Sequence, residues 1–213
     1  QYKGQSEAHP SLSPTDEFAA GYELWDRGNL TLVPKKPGMI AHEYLREALK
    51  NGLLPDQQLG ANACKYGMAA GTDTHNALVA AEEDNFYGKF ASSEPSAERA
   101  NENAMKFGER VVKGWELTAA GYTAVWATEN TREAIWDAME RKETYATSGP
   151  RITVRFFGGY DFTADDVSRS PAVAGYAKGV PMGGDLPAAP AGKAPTFLVA
   201  ALGGVLNVFV ARH

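Results

Sequence analysis

The sequence predicts a mixed α/β fold, because stretches with helical periodicity are followed by stretches with the alternation of strands. Residues 39–51 and 128–143 carry apolar side chains at the three- and four-residue spacing of a helix. Residues 151–157 alternate apolar with polar side chains, and residues 196–210 are almost continuously apolar. We therefore expect an α/β fold that ends in a β-rich carboxyl-terminal segment.

In the amino-terminal half, the sequence predicts loops around a few regular elements. Residues 1–38 are rich in Pro, Ser and Gly and predict loop, and the helix that follows over 39–51 is expected to stop at Gly52. Residues 63–68 predict a short buried strand. Another helix is expected from Ser96 toward Val112, and a core strand within 116–126.

The carboxyl-terminal half gives clearer signals. Asn130 and Glu133 match a capping box at the start of the second helix. A strand over 151–157 is expected to end at Gly158-Gly159, and residues 161–195 predict loop. Two apolar strands over 196–202 and 205–210 predict a hairpin whose two faces both need cover, from the fold or from another subunit. We place domains at 1–150 and 151–213 and expect a homo-oligomer.

Composition excludes several classes of protein. The chain has 213 residues, of which 44% are hydrophobic and 22% charged, so it is expected to fold. A net charge of −5 without a basic patch argues against nucleic-acid binding. One cysteine, Cys64, excludes an internal disulfide and a cysteine-rich zinc site. No signal peptide or membrane span is evident, which leaves the localisation unknown, and the missing initiator methionine suggests an excised piece.

The motif Asp73-Thr74-His75 is the strongest candidate for chemistry. A carboxylate and an imidazole two residues apart at a strand end could bind a divalent metal such as zinc, manganese or iron. A capped turn with a hydrogen-bonded histidine is the alternative, and both readings stay open on the residues alone.

Several motifs together resemble one family. They are Asp73-Thr74-His75, the segment 127–134, Tyr145-Ala146-Thr147-Ser148-Gly149-Pro150-Arg151 and the segment 155–159. In order and spacing they look like the carboxyl-terminal part of the bacterial family DUF3604, over about residues 1–200, and that family resembles the polymerase-and-histidinol-phosphatase (PHP) superfamily of metal-dependent phosphoesterases. The resemblance implies a partial, distorted PHP-like α/β barrel over residues 1–150, with metal ions at the carboxyl ends of its strands.

The resemblance also implies roles for individual residues. Asp73 and His75 match a metal-ligand pair, and His9 is expected to join them as a ligand. Glu7, near His9, and Arg151 are expected to be catalytic, although a structural salt bridge is the alternative for Arg151. The early His-x-His motif of the superfamily is absent, so the chain resembles the last third of a longer protein and its metal cluster is expected to be incomplete.

Three functions remain open. The first is a metal-dependent hydrolase that cleaves a phosphate or other small ester with a metal-activated water. The second is a serine-dependent carboxylester hydrolase, because Gly4-Gln5-Ser6-Glu7-Ala8 resembles a nucleophile elbow. The third is a non-catalytic fragment that self-associates through its apolar end.

Overall fold

Helices and strands are both present, which confirms the predicted mixture of the two. The computed structural model describes residues 7–13, 20–21, 24–29, 31–72, 74–75, 96–117, 121–147, 151–168, 170–203 and, for the backbone alone, 205–212. Within these residues the chain forms four α-helices and eight strands, and the strands make three separate antiparallel sheets without a closed barrel.

The elements follow in this order along the chain. The helices are α1 (Pro37–Ile40), α2 (Leu45–Leu59), α3 (Arg132–Glu140) and α4 (Pro171–Lys178). The strands are β1 (Asn103–Phe107), β2 (Arg110–Lys113), β3 (Thr123–Val125), β4 (Thr144–Ala146), β5 (Thr153–Gly159), β6 (Gly179–Pro181), β7 (Thr196–Gly203) and β8 (Val205–Arg212).

The chain divides into two compact units. The first comprises residues 1–65 and 70–122, and the second comprises residues 66–69 and 123–213. No helix in the described part of the chain is long and apolar enough to cross a membrane. The domain boundary predicted after residue 150 stays a prediction.

The single helix expected over 39–51 is instead two helices, because residues 41–44 separate α1 from α2, and α2 extends beyond the predicted end. Helix α2 continues through Gly52 and Pro55 and ends at Gly60, whose φ of 67° is a left-handed cap that glycine adopts without a steric penalty. Gly52 is buried, and a Cβ there would lie 2.2 Å from Asn62 Oδ1. The glycine expected to stop the helix therefore serves its packing instead.

A hairpin replaces the helix expected over 96–112. Strands β1 and β2 pair in antiparallel fashion, with Phe107 opposite Arg110 across a turn whose Gly108 has a φ of 64°. Phe107, Val112 and Leu117 form the small buried cluster of this unit. The strand expected over 63–68 is absent, since those residues are described but belong to no strand.

The second unit is built on a four-stranded sheet in the order β6-β5-β7-β8. The hairpin predicted at the carboxyl end is confirmed as β7 and β8, which pair from Thr196 opposite Arg212 to Gly203 opposite Val205. Strand β5 is confirmed too. It runs through Gly158-Gly159, where the sequence suggested that it would end, because both glycines pair with β6 and β7.

Helix α4 covers this sheet in a segment that the sequence predicted to be loop. Phe157 of β5, Phe162, Ala174 of α4 and Leu198 of β7 form the buried cluster. Gly175 faces the Phe157 ring, which lies only 2.4 Å from where a Cβ would be, so only glycine lets the helix approach this closely. At the carboxyl end of the helix, Lys178 donates hydrogen bonds to Asp166, and this is the main cause that lowers the pKa of the Asp166 carboxyl.

Helix α3 is confirmed, but its cap differs from the prediction. Thr131 is the N-cap residue, and its hydroxyl accepts a hydrogen bond from the Ala134 backbone N–H at 3.3 Å. The capping box expected at Asn130 and Glu133 is therefore wrong, because the cap is Thr131 and the residue three positions on, Ala134, has no side chain that could complete a box.

Candidate functional site

An imidazole that is hydrogen-bonded at one ring nitrogen and faces a carboxylate with the other marks the candidate site in the first unit. His9 Nδ1 lies 2.7 Å from Ser11 Oγ and accepts a hydrogen bond from the Ser11 backbone N–H at 3.1 Å. Its other nitrogen, Nε2, lies 3.9 Å from Asp26 Oδ2. The His9 side chain is 14% exposed and that of Asp26 is 37% exposed, so the pair is partly shielded yet reachable from solvent.

The local chain explains how His9 is oriented. His9 is the N-cap residue of a 3₁₀ turn over Pro10–Leu12, with proline in the first position, where the missing N–H costs nothing. The ring packs edge-on against Tyr44 at the start of α2, with centroids 5.1 Å apart. The capping hydrogen bond and the aromatic contact together fix the ring.

The tautomer of His9 follows from the capping hydrogen bond. A backbone N–H can only donate, so Nδ1 must be the acceptor, and the neutral ring carries its proton on Nε2. The proton therefore faces Asp26. When the ring is protonated on both nitrogens, the Ser11 hydroxyl can accept from Nδ1.

Two sets of contacts hold the segment that carries Asp26. On one side, Lys35 Nζ donates to the Trp25 carbonyl at 2.6 Å and forms an ion pair with Glu43. The Trp25 ring packs at right angles against Phe107, with centroids 5.9 Å apart. Lys35 is 8% exposed, so its ammonium depends on these partners for compensation.

On the other side, Arg27 binds the β1–β2 hairpin. Its guanidinium donates to the Val111 carbonyl at 2.6 Å and forms a two-pronged contact with the Glu116 carboxylate. The hydrogen bond with Glu116 is the largest cause that raises the pKa of Arg27. Next to it, Gly28 lies so close to Phe107 that a Cβ would be 1.9 Å from the ring.

The Tyr44 hydroxyl beside this site is buried without a hydrogen-bond partner of normal geometry among the described residues. Burial is the main cause that raises the pKa of Tyr44 to about 12, and the charges of Asp26 and Glu43 raise it further. The backbone of Trp25 offsets a part of this rise. At neutral pH Tyr44 is therefore uncharged where its ring packs against His9.

The residues predicted from the sequence lie in different places. Glu7 is close to His9 along the chain, but its carboxylate forms an ion pair with Arg46 at 3.2 Å. His75 belongs to the first unit and is exposed, whereas Arg151 is exposed just before β5 in the second unit. Asp73 lies outside the described residues. The predicted roles of all five residues stay predictions.

The described residues do not by themselves fit the metal ion that the resemblance implies. Among them, no three His, Cys, Asp or Glu side chains come together in a group that could hold an ion. His9 has its Nδ1 lone pair engaged by the Ser11 backbone N–H, so Nε2 is the nitrogen left for an ion.

Sequence reasoning missed Ser11 and Asp26. Ser11 could have been found, because a histidine before proline with a serine two residues on suits a capped turn. Asp26 had no such local signal, because its position depends on the contacts of Trp25 and Arg27 with distant residues.

Comparison with known proteins identifies the family but no function. The family model described as "Protein of unknown function (DUF3604)" matches residues 1–212. No curated protein matches the chain, and no solved structure does. Since the model spans nearly the whole sequence, the chain belongs to the DUF3604 family.

Proposed function

We propose that this protein is a hydrolase of phosphate or other small esters, and that His9 delivers the proton to the leaving oxygen. The observation that supports the proposal is the fixed imidazole, which directs Nε2–H toward Asp26 and has the Ser11 hydroxyl at Nδ1. Histidine is the side chain best suited to exchange protons near neutral pH.

The chemistry that this geometry allows is general acid catalysis. Hydrolysis of an ester breaks the bond to the leaving oxygen, which must gain a proton as water adds to the phosphorus or carbon atom. An imidazolium at His9 would give that proton from Nε2. Its remaining proton would lie on Nδ1 toward Ser11 Oγ, which requires the Ser11 backbone N–H to release Nδ1 in this state. Asp26, 3.9 Å from Nε2, would stabilise the positive charge of the ring.

The proposal includes a metal-dependent form of this reaction, which the family resemblance implies. A divalent ion would supply an activated water when bound, and Asp73, His75 and His9 are its predicted ligands. The relationship to the PHP superfamily and the partial, distorted PHP-like barrel are likewise parts of the proposal.

A serine-dependent hydrolase is the second candidate, and Ser11 favours it more than the Ser6 of the sequence prediction. The Ser11 hydroxyl lies 2.7 Å from His9 Nδ1, and Asp26 lies beyond the opposite nitrogen, which is the order of a Ser-His-Asp triad. Ser6 lies outside the described residues.

The test compares single variants on 4-nitrophenyl phosphate and 4-nitrophenyl acetate. We expect His9→Gln to lower kcat at least about a hundredfold, the lower range for loss of a general acid. The matched control is His42→Gln, which removes an exposed histidine of the same unit and should leave kcat unchanged. Equal rates in the two variants, or no turnover by the native protein, would contradict the proposal.

Two further measurements separate the candidates. Ser11→Ala should lower kcat by less than about tenfold if Ser11 only orients the ring, but should abolish turnover if its hydroxyl is the nucleophile. Chelator treatment followed by metal addition tests the metal-dependent form directly, because only that form loses and regains activity.

A further inference from the structure

A cavity of about 570 Å³ lies beside Asp26 in the first unit. It is bounded on one side by the segment from Leu24 to Arg27 and on the other by the β1–β2 hairpin with the turn that follows it. A volume of this size is in the range that binds small molecules. Asp26 lines the cavity and also faces His9 Nε2, so this carboxylate connects the cavity to the candidate acid, which does not itself line it.

Two arginines and two carboxylates line this cavity, and they differ in their partners. Arg27 and Glu116 neutralise one another through their two-pronged contact. Asp26, the second carboxylate, faces His9 Nε2. Arg110 is exposed at the start of β2 and forms no ion pair among the described residues. Arg110 therefore presents a guanidinium at the cavity surface, and a guanidinium suits a carboxylate or a phosphate.

An aromatic side chain also lines the cavity. Trp115 is 54% exposed, although an indole of this size is usually better buried. Its backbone is fixed, because Trp115 N donates to the Ala100 carbonyl at 3.0 Å and the 3₁₀ turn Gly114–Leu117 includes it. Gly114 is required in this turn, since a Cβ there would lie 1.8 Å from the Arg99 carbonyl oxygen. The chain thus holds an indole face at the cavity surface.

We propose that this cavity binds an anionic aromatic group of the substrate, with Arg110 pairing with the anion and Trp115 packing against the ring. The inference rests on the proposed hydrolase function and narrows it to aryl esters, chiefly aryl phosphates. Glu116 contributes by holding Arg27 through their two-pronged contact. Its Oε2 also accepts a hydrogen bond from the Lys113 backbone N–H at 2.8 Å, which connects the end of β2 to the turn that follows it.

The experiment measures equilibrium binding of phenylphosphonate, which resembles an aryl phosphate but has no ester bond to cleave. Tryptophan fluorescence or calorimetry should give an affinity at least about tenfold higher than for methylphosphonate, which has the charge without the ring, or for phenol, which has the ring without the charge. Arg110→Gln should weaken phenylphosphonate binding about tenfold, and the loss should shrink at high salt. Trp115→Ala should remove most of the advantage over methylphosphonate, while Trp115→Phe should retain it.

Two variants serve as matched controls. Lys106→Ala removes an exposed positive charge from the same hairpin, and Trp136→Ala removes an indole that is 63% exposed on α3 of the second unit. Neither residue lines the cavity, so both variants should bind phenylphosphonate like the native protein. Binding that is undetectable, or that is insensitive to both Arg110→Gln and Trp115→Ala, overturns the inference.

The outcome also distinguishes this inference from the proposed function. His9→Gln should retain phenylphosphonate binding while it loses turnover, because binding needs no proton transfer. If His9→Gln abolishes turnover but the Arg110 and Trp115 variants bind normally, the hydrolase stands and the cavity assignment fails. If the cavity variants lose binding but the native protein turns over no ester, the cavity stands as a binding site and the hydrolase fails.

Discussion

The second unit rests on a continuous four-stranded sheet covered by α4, whereas the first rests on one long helix, a short hairpin and ion pairs between distant loops. In the second unit the buried cluster joins β5, β7 and α4. In the first, the buried cluster belongs to the hairpin region and lies beside the Arg27–Glu116 and Lys35–Glu43 pairs.

This difference places the candidate chemistry where regular structure is sparse. His9 and Asp26 lie on loops of the first unit, and the cavity lies between the Asp26 segment and the β1–β2 hairpin. Charge-assisted contacts, and not a large sheet, position these loops. Loops held by a few polar contacts can present side chains that a sheet would pair or bury. Such contacts contribute less per residue than a packed core, so we expect the first unit to open more readily.

The largest expected effect comes from Phe157 at the centre of the second unit. Phe157→Ala should lower the free energy of unfolding by about 3–5 kcal/mol, because it leaves a cavity under Gly175 and beside Tyr176. Chemical denaturation gives the size of the loss, and hydrogen exchange should place it in β5, β7 and α4.

Phe156→Ala is the matched control on the same strand. Phe156 is 39% exposed and stacks on Phe197, so its removal should cost about 1 kcal/mol. If the two variants lose equal stability, the sheet is not the dominant source of stability in this unit, and the contrast with the first unit disappears.

The next effect concerns the ion pair that ties the first unit together. Arg27→Met should lower the free energy of unfolding by about 1–2 kcal/mol, since the pair is partly buried and Glu116 would be left without its partner. The same change should loosen the Asp26 segment and weaken phenylphosphonate binding. Thermal unfolding and fluorescence titration check the two results.

A pair in the second unit provides the comparison. Lys193 and Asp161 are mostly exposed, so Lys193→Met should change the free energy of unfolding by less than about 0.5 kcal/mol. A larger effect from Lys193→Met than from Arg27→Met would reverse the contrast between the two units.

The sequence predicted the second unit better than the first, for a physical reason. Strand β5 and helix α3 were expected because periodicity within each segment determines which face is buried. Strands β7 and β8 were expected because residues 196–210 are almost continuously apolar on both sides of Gly203-Gly204. Helix α4 was missed because its Gly and Ala content resembles loop, and only its fit against Phe157 selects a helix. In the first unit, α2 continues through Gly52 and Pro55 against their local preferences.

The candidate site was predictable only in part. His9 was predicted through the family resemblance. Its approach to Asp26 was not predicted, because the two residues lie on different loops. The Arg27–Glu116 pair that fixes the Asp26 segment spans 89 positions of sequence, and no local pattern reports such a contact. Long-range pairing of this kind is the part of a structure that propensity and periodicity do not contain.

The smallest effect tests whether the Tyr44 hydroxyl contributes to the free energy of unfolding at neutral pH. Tyr44→Phe should change the free energy of unfolding at neutral pH by less than about 1 kcal/mol, because it removes a buried hydroxyl without a hydrogen-bond partner of normal geometry.

At high pH the Tyr44→Phe variant should be more stable than the native protein. The pKa of Tyr44 is raised to about 12, so folding favours the neutral phenol. This stabilisation is complete below the ordinary tyrosine pKa of about 10 and is lost as the pH rises through about 12. Absorbance at 295 nm during alkaline unfolding should therefore show a late tyrosine that is missing in Tyr44→Phe but present in Tyr66→Phe, which alters a tyrosine that is 40% exposed. If Tyr44→Phe instead lowers the free energy of unfolding by several kcal/mol at neutral pH, the hydroxyl makes a structural hydrogen bond. Tyr44 then stabilises the first unit about as much as Phe157 stabilises the second.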